Sequence, residues 1–333
     1  MIRIFFILWT LLFLSGCDSS SERDERMDIN HEEELKSYCV GRHIVDVPVS
    51  FSHSSIATGI FKNSGAGGQD SSFNVVATEN MSVERFDNEM RRRQAELAGS
   101  ERDVDVLRVA ERLNDKSMLF RVQNIDDAYT SEISVLRDDV MITARLDSFD
   151  NEYSKAEDAL KYFLSRFAKR DDKKPLGEGF CLGSVKIIGD FQTEYGDYSF
   201  RDDLGNHLGI MIDTFSPAED AGLLSRVQGP NSLLTIFSVD HTVLRARELT
   251  VAGMRAQEWL AWANLSDQDD IRTHKFELQT IRPQPGKFKP EISLTLTSGL
   301  PDNDGTRVKN SMSDKKIVSL WDRIVASIRP ANL

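Results

Sequence analysis

The sequence predicts an α+β protein built of two tandem related domains, each an antiparallel sheet with helices packed on one face. Three observations predict this. Short runs in which apolar and polar residues alternate recur along the chain, as in half-buried strands. Two later segments, 154–170 and 313–330, repeat apolar residues at the spacing of an amphipathic helix. The order strand, strand, helix, several strands, helix occurs twice, which favours a duplication over two unrelated domains.

Residues 1–16 have the pattern of a secretory signal peptide. Arg3 precedes an apolar stretch that ends in Ser15 and Gly16, and this stretch is too short to span a membrane. The ending Leu-Ser-Gly-Cys is similar to the lipobox of bacterial lipoproteins, so we expect Cys17 to be lipidated and to anchor the chain to a membrane. An ordinary signal peptide with a chance cysteine is the alternative. Asp18 indicates retention at the inner membrane of a periplasmic protein.

The composition divides the rest of the chain. Residues 17–36 are mostly charged, polar or small, so we interpret them as a flexible tether. We predict an N-terminal domain over 37–168 and a C-terminal domain over 180–333. Between them, 169–179 reads KRDDKKPLGEG, a charged linker with proline and glycine.

Each predicted domain begins with a cysteine, Cys39 in SYCVGRHIVDVP and Cys181 in GFCLGSVKIIGD. A helix with Ser82 as its N-cap follows in the first domain, and a helix starting near Ser216 follows in the second. The closest match between the two halves pairs 104–113 with 241–251, and both segments are predicted as strands. A hairpin and a closing helix complete each repeat.

The equivalent positions of the two cysteines raise the question of a bond between them. An exported protein meets an oxidising compartment, where a disulfide persists. We expect a Cys39–Cys181 disulfide, and two buried free thiols are the alternative.

The charge balance restricts the partners. The chain has 41 Lys and Arg against 53 Asp and Glu, a net charge of −12. Nucleic acid and anionic lipid surfaces repel such a protein, so we predict no nucleic-acid binding. A basic protein partner fits the charge.

The sequence contains none of the common catalytic patterns. The G-x-S-x-G elbow and the phosphate-binding glycine patterns are absent, and no two histidines stand at i, i+2 or i, i+4. We therefore predict no enzyme activity, no metal site and no cofactor. A hydrolase triad assembled from distant residues stays an alternative.

Acidic turns and one tryptophan are the candidate partner contacts. The tryptophans of QEWLAWANL cannot share one strand face, so Trp262 is a candidate exposed aromatic, although both tryptophans could lie in the core. Turn formation and solubility are the alternative for the acids. The predicted interface comprises Asp202, Asp203, Asp267, Asp269, Asp270 and Trp262.

These motifs carry a family resemblance. CVGRHIVDVP, GFCLGS, VAGMRAQEW and ISLTLTSG together resemble the immunity proteins of type VI secretion lipase effectors, over about residues 37–330. The resemblance implies an envelope protein, monomeric before it forms a complex, that binds a cognate antibacterial phospholipase and occludes its active site. It brings no catalytic residues. A periplasmic lipoprotein that binds a small ligand or assists envelope assembly is the alternative function.

Overall fold

The structure is a computed structural model. It describes residues 33–64, 70–99, 105–170, 179–215, 222–228, 241–264, 272–281, 286–299 and 312–331. The predicted signal peptide, Cys17, Asp18, Ser216, Asp267, Asp269 and Asp270 lie outside the described residues, as do most of the tether and linker. None of the described helices is long and apolar enough to cross a membrane.

The first half of the chain contributes ten strands and two helices among its described residues. The strands are β1 (Leu35–Val40), β2 (His43–Pro48), β3 (Ser52–His53), β4 (Ile56–Ser64), β5 (Asp70–Thr78), β6 (Val106–Asn114), β7 (Ser117–Ile125), β8 (Ala128–Arg137), β9 (Val140–Ser148) and β10 (Phe167–Lys169). The helices are α1 (Val83–Ala98) and α2 (Tyr153–Ser165). Ser82 caps α1 as predicted, because its side chain accepts a hydrogen bond from the Arg85 N–H.

The second half repeats this series. Its described strands are β11 (Phe180–Leu182), β12 (Val185–Ile187), β13 (Thr193–Arg201), β14 (His207–Asp213), β15 (His241–Val251), β16 (Met254–Asn264), β17 (Arg272–Thr280), β18 (Glu291–Thr297) and β19 (Arg329–Pro330). Its described helices are α3 (Leu223–Gln228) and α4 (Asp314–Ser327). The similar segments of the two repeats form the two edge strands, β6 and β15.

One antiparallel sheet joins both halves. Its strand order is β15-β16-β17-β18-β14-β13-β4-β5-β9-β8-β7-β6, with β3 added beside β13. The β4–β13 pair joins the two halves at the centre. From there the first half runs β4-β5-β9-β8-β7-β6 and the second half runs β13-β14-β18-β17-β16-β15, so equivalent strands occupy equivalent places. The predicted α+β class with antiparallel sheets is confirmed, and residues 35–333 form one compact unit.

The two cysteine hairpins cross over between the halves. β1 and β2 form a small sheet with β19, which follows the last helix. β11 and β12 form another with β10, which follows α2 of the first half. Each hairpin therefore completes the half to which it does not belong in sequence.

Helices lie on both faces of the large sheet, so the prediction that they share one face is wrong. Successive side chains of a strand point to opposite faces. On β7, Leu119 belongs to the main core, which includes α2 and α4 side chains, whereas Phe120 packs with Phe86 of α1. On β16, Leu260 belongs to the main core and Trp259 packs with α3. β7 and β16, which lie next to the two edge strands, have buried apolar side chains on both faces, so each face there requires a cover.

Aromatic and charged groups complete the main core. Phe163 of α2 stacks on Phe73 with ring centroids 4.2 Å apart. On the other half, Trp321 of α4 packs edge-on to Phe276 and donates its indole N–H to the buried Glu258 carboxylate at 3.0 Å. Since Arg245 and Arg247 also pair with Glu258, this buried charge is compensated.

Candidate partner-binding surfaces

The centre of the sheet is a pair of glycines that face each other across the two halves. Gly59 of β4 lies directly opposite Gly196 of β13. A Cβ on Gly196 would lie 2.6 Å from the Tyr198 hydroxyl and 2.9 Å from the Phe180 ring. The missing side chains therefore let the hairpins approach the sheet closely.

A disulfide joins the tips of the two crossed hairpins above these glycines. Cys39 and Cys181 are bonded, with Cα atoms 5.9 Å apart and 142 residues between them in sequence. Both are buried. The expected disulfide is therefore present in the structure, between equivalent positions of the two repeats.

Polar contacts hold the first hairpin on the second half. Arg42 reaches both oxygens of the buried Glu194 carboxylate, at 2.5 and 2.7 Å. The Tyr198 hydroxyl accepts from the Gly41 N–H at 2.7 Å and donates to the Cys181 carbonyl. These paired groups are enclosed by protein, so their role is to fix the junction.

The opposite face of the same junction is open to solvent, and we call it the seam face. One row across five strands consists of Arg145, Asn74, Ile60, Tyr195 and Asp213, each opposite the next. The adjoining row includes Thr58, Asp197 and Met211. These side chains are half-buried or exposed, between α1 over β6 and β7 and α3 over β16.

Tyr195 lies at the centre of the seam face, beside a shallow recess of about 200 Å³ lined also by Ile60 and Arg145. Partial burial raises the pKa of the Tyr195 phenol, and the carboxylates of Asp197 and Asp213 raise it further. The phenol is therefore neutral and lies in a negative local field. Arg145 at the other side of the recess is paired with Glu132 at 2.5 Å.

A second recess, of about 470 Å³, lies at one end of the central strands. Phe215 lines it and is 57% exposed, with the Lys62 ammonium 5.0 Å from its ring centroid. Phe288, next to the lining residue Lys287, is also exposed. The recess presents aromatic surface to solvent.

Of the six residues predicted as partner contacts, three are described, and all three lie at the other end of the sheet. Asp203 is exposed in the β13–β14 turn. Trp262 is half-buried near the end of β16, and the Arg272 guanidinium stacks on its ring at 4.3 Å. Trp259 is buried under α3, so only one of the two tryptophans is a core residue.

The structure argues against Asp202 as a partner contact. It is buried, and its carboxylate accepts hydrogen bonds from the N–H groups of Leu204 and Asn206 and from the Asn206 side chain. An aspartate at the start of a tight turn commonly binds the backbone in this way. Its carboxylate is therefore used inside the turn and does not face a partner.

Tyr195, Ile60 and Met211 of the seam face are not among the residues predicted as partner contacts. The signal was present in β13, where Tyr195, Asp197 and Ser199 alternate with buried residues. The alternation shows that these side chains share one face but not that β4 lies beside β13. Among the described residues, no cluster of three or more His, Cys, Asp or Glu side chains has the geometry to hold a metal ion.

Comparison with known proteins identifies the second half. The sequence profile of the family described as Tle cognate immunity protein 4 C-terminal domain matches residues 173–332. The chain is similar to that family over these residues. The match confirms the expected kinship with immunity proteins of type VI lipase effectors. None of the curated protein sequences matches the chain.

Solved structures extend the likeness to both halves. The apo immunity protein TplEi of the type VI secretion system of Pseudomonas aeruginosa has 18% identity and a TM-score of 0.63, over 90% of this chain and 97% of that one. The same protein bound to an "L" peptide has 19% identity and a TM-score of 0.61, over 90% of this chain and 99% of that one. A chain of the Tle4–Tli4 complex matches at 19% identity and a TM-score of 0.63, over 90% of this chain and 98% of that one. At such identities the likeness establishes the fold.

Proposed function

We propose that this protein is an immunity protein that binds a cognate type VI secreted phospholipase in the periplasm and occludes its active site. The observation that carries the proposal is the family match over 173–332. The sequence motifs of the first half resemble the same kind of immunity protein. A fold shared over 90% of the chain with a TM-score of 0.63 supports the same role for both halves. The producing cell and its siblings would thereby be protected.

The architecture is suited to inhibition by blocking. A sheet shared by both halves, and hairpins that cross between them, make residues 35–333 one compact unit. A preorganised surface loses little conformational entropy when it binds. The protein then needs no catalytic group of its own, and we propose that it is not an enzyme.

The location and the contacts belong to the same proposal. Lipidation of Cys17, with Asp18 after it, would hold the protein at the inner membrane, on the side where an incoming phospholipase reaches phospholipid. We propose Asp203 and Trp262, which lie at one end of the sheet, as contacts, together with Asp267, Asp269 and Asp270, which are outside the described residues. Acidic groups there would speed encounter with a basic partner.

The test is a titration of the exported chain against a candidate cognate type VI phospholipase, chosen from the genes that neighbour its own. Phospholipid hydrolysis and complex size are followed together. We expect activity to fall to background at a one-to-one ratio, with a complex of matching mass. A secreted phospholipase from an unrelated system serves as the control and should keep its activity. The proposal is wrong if a folded chain neither binds nor inhibits the enzyme at about 1 μM.

A further inference from the structure

We propose that the seam face is a docking surface for the effector, and that Tyr195 and Asp197 receive a lysine or arginine side chain of that partner. This inference rests on the proposed function and specifies its interface. The seam face lies on the opposite side of the sheet from the crossed hairpins, and away from the end that carries Asp203 and Trp262.

The local chemistry selects a cation. Asp213 lies directly opposite Tyr195, and Asp197 follows it two residues later on the same face of β13. A cationic group over a tyrosine ring is attracted by the ring's negative face, and a neighbouring carboxylate adds a charge-assisted hydrogen bond. Asp197 is exposed and forms no ion pair with a described residue.

The wider charges favour the same partner. The protein carries a net charge of −12, so its field attracts basic surfaces and repels acidic ones. Arg145 is the cation at the other side of the recess, and Glu132 holds it at 2.5 Å. Arg93 also pairs with Glu132, so the charge of Arg145 is only partly compensated, and the attraction for a cation at Tyr195 comes from the nearby carboxylates of Asp197 and Asp213.

The apolar groups supply the anchor. Ile60 lies opposite Tyr195, and Met211 lies opposite Asp197, with both apolar side chains half-buried. Tyrosine and methionine are enriched in the centres of protein interfaces. The backbones beneath them are hydrogen-bonded to strands on both sides, which keeps the surface rigid before binding.

Binding measurements on matched variants test the inference. The exported chain and its variants are titrated against the same candidate phospholipase by interferometry, after unfolding curves verify that each variant is folded. We expect Asp197→Lys to weaken binding at least about 30-fold, because the new lysine would repel the cationic side chain of the partner. Tyr195→Ala should weaken it at least about tenfold, whereas Tyr195→Phe keeps the ring and should stay within about threefold.

Asp158→Lys is the matched control. Asp158 is an exposed residue of α2 that pairs with Lys161, and the substitution changes the net charge as much as Asp197→Lys does. We expect it to alter the dissociation constant by less than about threefold.

Two further variants separate this surface from the others. If Asp197→Lys and Tyr195→Ala bind like the wild type while Trp262→Ala or Phe215→Ala loses affinity, the seam face is not the docking surface, although the proposed function stands. Equal losses for Asp197→Lys and Asp158→Lys would also overturn the inference, because only net charge would matter. If the wild type does not bind, the proposed function fails and the inference fails with it.

Discussion

At the scale of single residues, the junction between the halves depends on groups whose environment the sequence does not reveal. Arg42 and Glu194 are far apart in the chain and form a buried bidentate pair. His43, the next residue, is buried and has no hydrogen-bond partner for either ring nitrogen among the described residues. Burial without a partner penalises the charged imidazolium.

His43 should therefore make stability depend on pH. Burial lowers the pKa of His43 from 6.5 to about 4, so folding favours the neutral ring. Its contribution is fully present above pH 6.5 and is lost as the pH falls towards 4. The free energy of unfolding then falls by about 3 kcal/mol, since each pKa unit of the shift corresponds to 1.36 kcal/mol.

Urea unfolding at pH 7.5 and pH 4.5 measures this loss. His43→Leu removes the titrating ring and should show a smaller loss between the two pH values than the wild type. The difference between the two proteins isolates His43 from the carboxylates that also titrate. Identical pH dependence in both would show that folding does not shift the pKa of His43.

At the scale of elements, equivalent strands of the two repeats have equivalent tasks. β6 and β15, which are the most similar segments in sequence, are the two edges of the large sheet, and each contains a register shift near its start. Bulges and charged side chains protect exposed edges from pairing with other molecules. The innermost pair, β4 and β13, instead has glycines where the hairpins pack.

Gly196→Ala tests the close approach at that pair. The new methyl group would lie 2.9 Å from the Phe180 ring and 2.6 Å from the Tyr198 hydroxyl, so the hairpin must move. We expect the free energy of unfolding to fall by about 1–3 kcal/mol, as measured in urea.

Gly209→Ala on the neighbouring strand β14 is the control. The nearest atom to its new Cβ would be 3.8 Å away, which is ordinary contact. This variant should keep the wild-type stability or gain slightly, because alanine has less freedom than glycine in the unfolded chain. Similar losses in both variants would mean that the close packing is not the cause.

At the scale of the whole molecule, the crossed hairpins make the two halves depend on each other. The N-terminal hairpin pairs with the strand after α4, and the second hairpin pairs with the strand after α2. The disulfide then closes a loop of 142 residues between the repeats. We expect the compact unit of residues 35–333 to unfold in one cooperative transition.

Replacing both bonded cysteines measures what the link contributes. Cys39→Ser with Cys181→Ser should lower the free energy of unfolding by about 4–5 kcal/mol, because the unfolded chain regains the freedom that the closed loop removes. Cys17→Ser is the control and should leave the unfolding curve unchanged. A loss below about 1 kcal/mol would show that the bond adds little to a junction already held by packing.

Much of the fold could be predicted before any coordinates. Ser82 predicted the start of α1, and the spacing of apolar residues predicted the closing helices α2 and α4. The recurring order of segments indicated a duplication with antiparallel sheets. Site residues were harder to predict. Asp202 and Asp203 look alike in sequence, yet one is buried in its turn and the other is exposed, since a turn engages only the side chain that can reach its backbone.

The sequence by itself determined the local elements, the repeat, the equivalent positions of the two cysteines and the family resemblance. These depend on periodicity and residue type within short segments, which a sequence displays directly. The tertiary structure decided that β4 pairs with β13, that the hairpins cross, that helices cover both faces and that Tyr195 lies on an open face. Strand pairing and burial depend on contacts between segments far apart in the chain, and alternation gives the face of a residue without naming its neighbour.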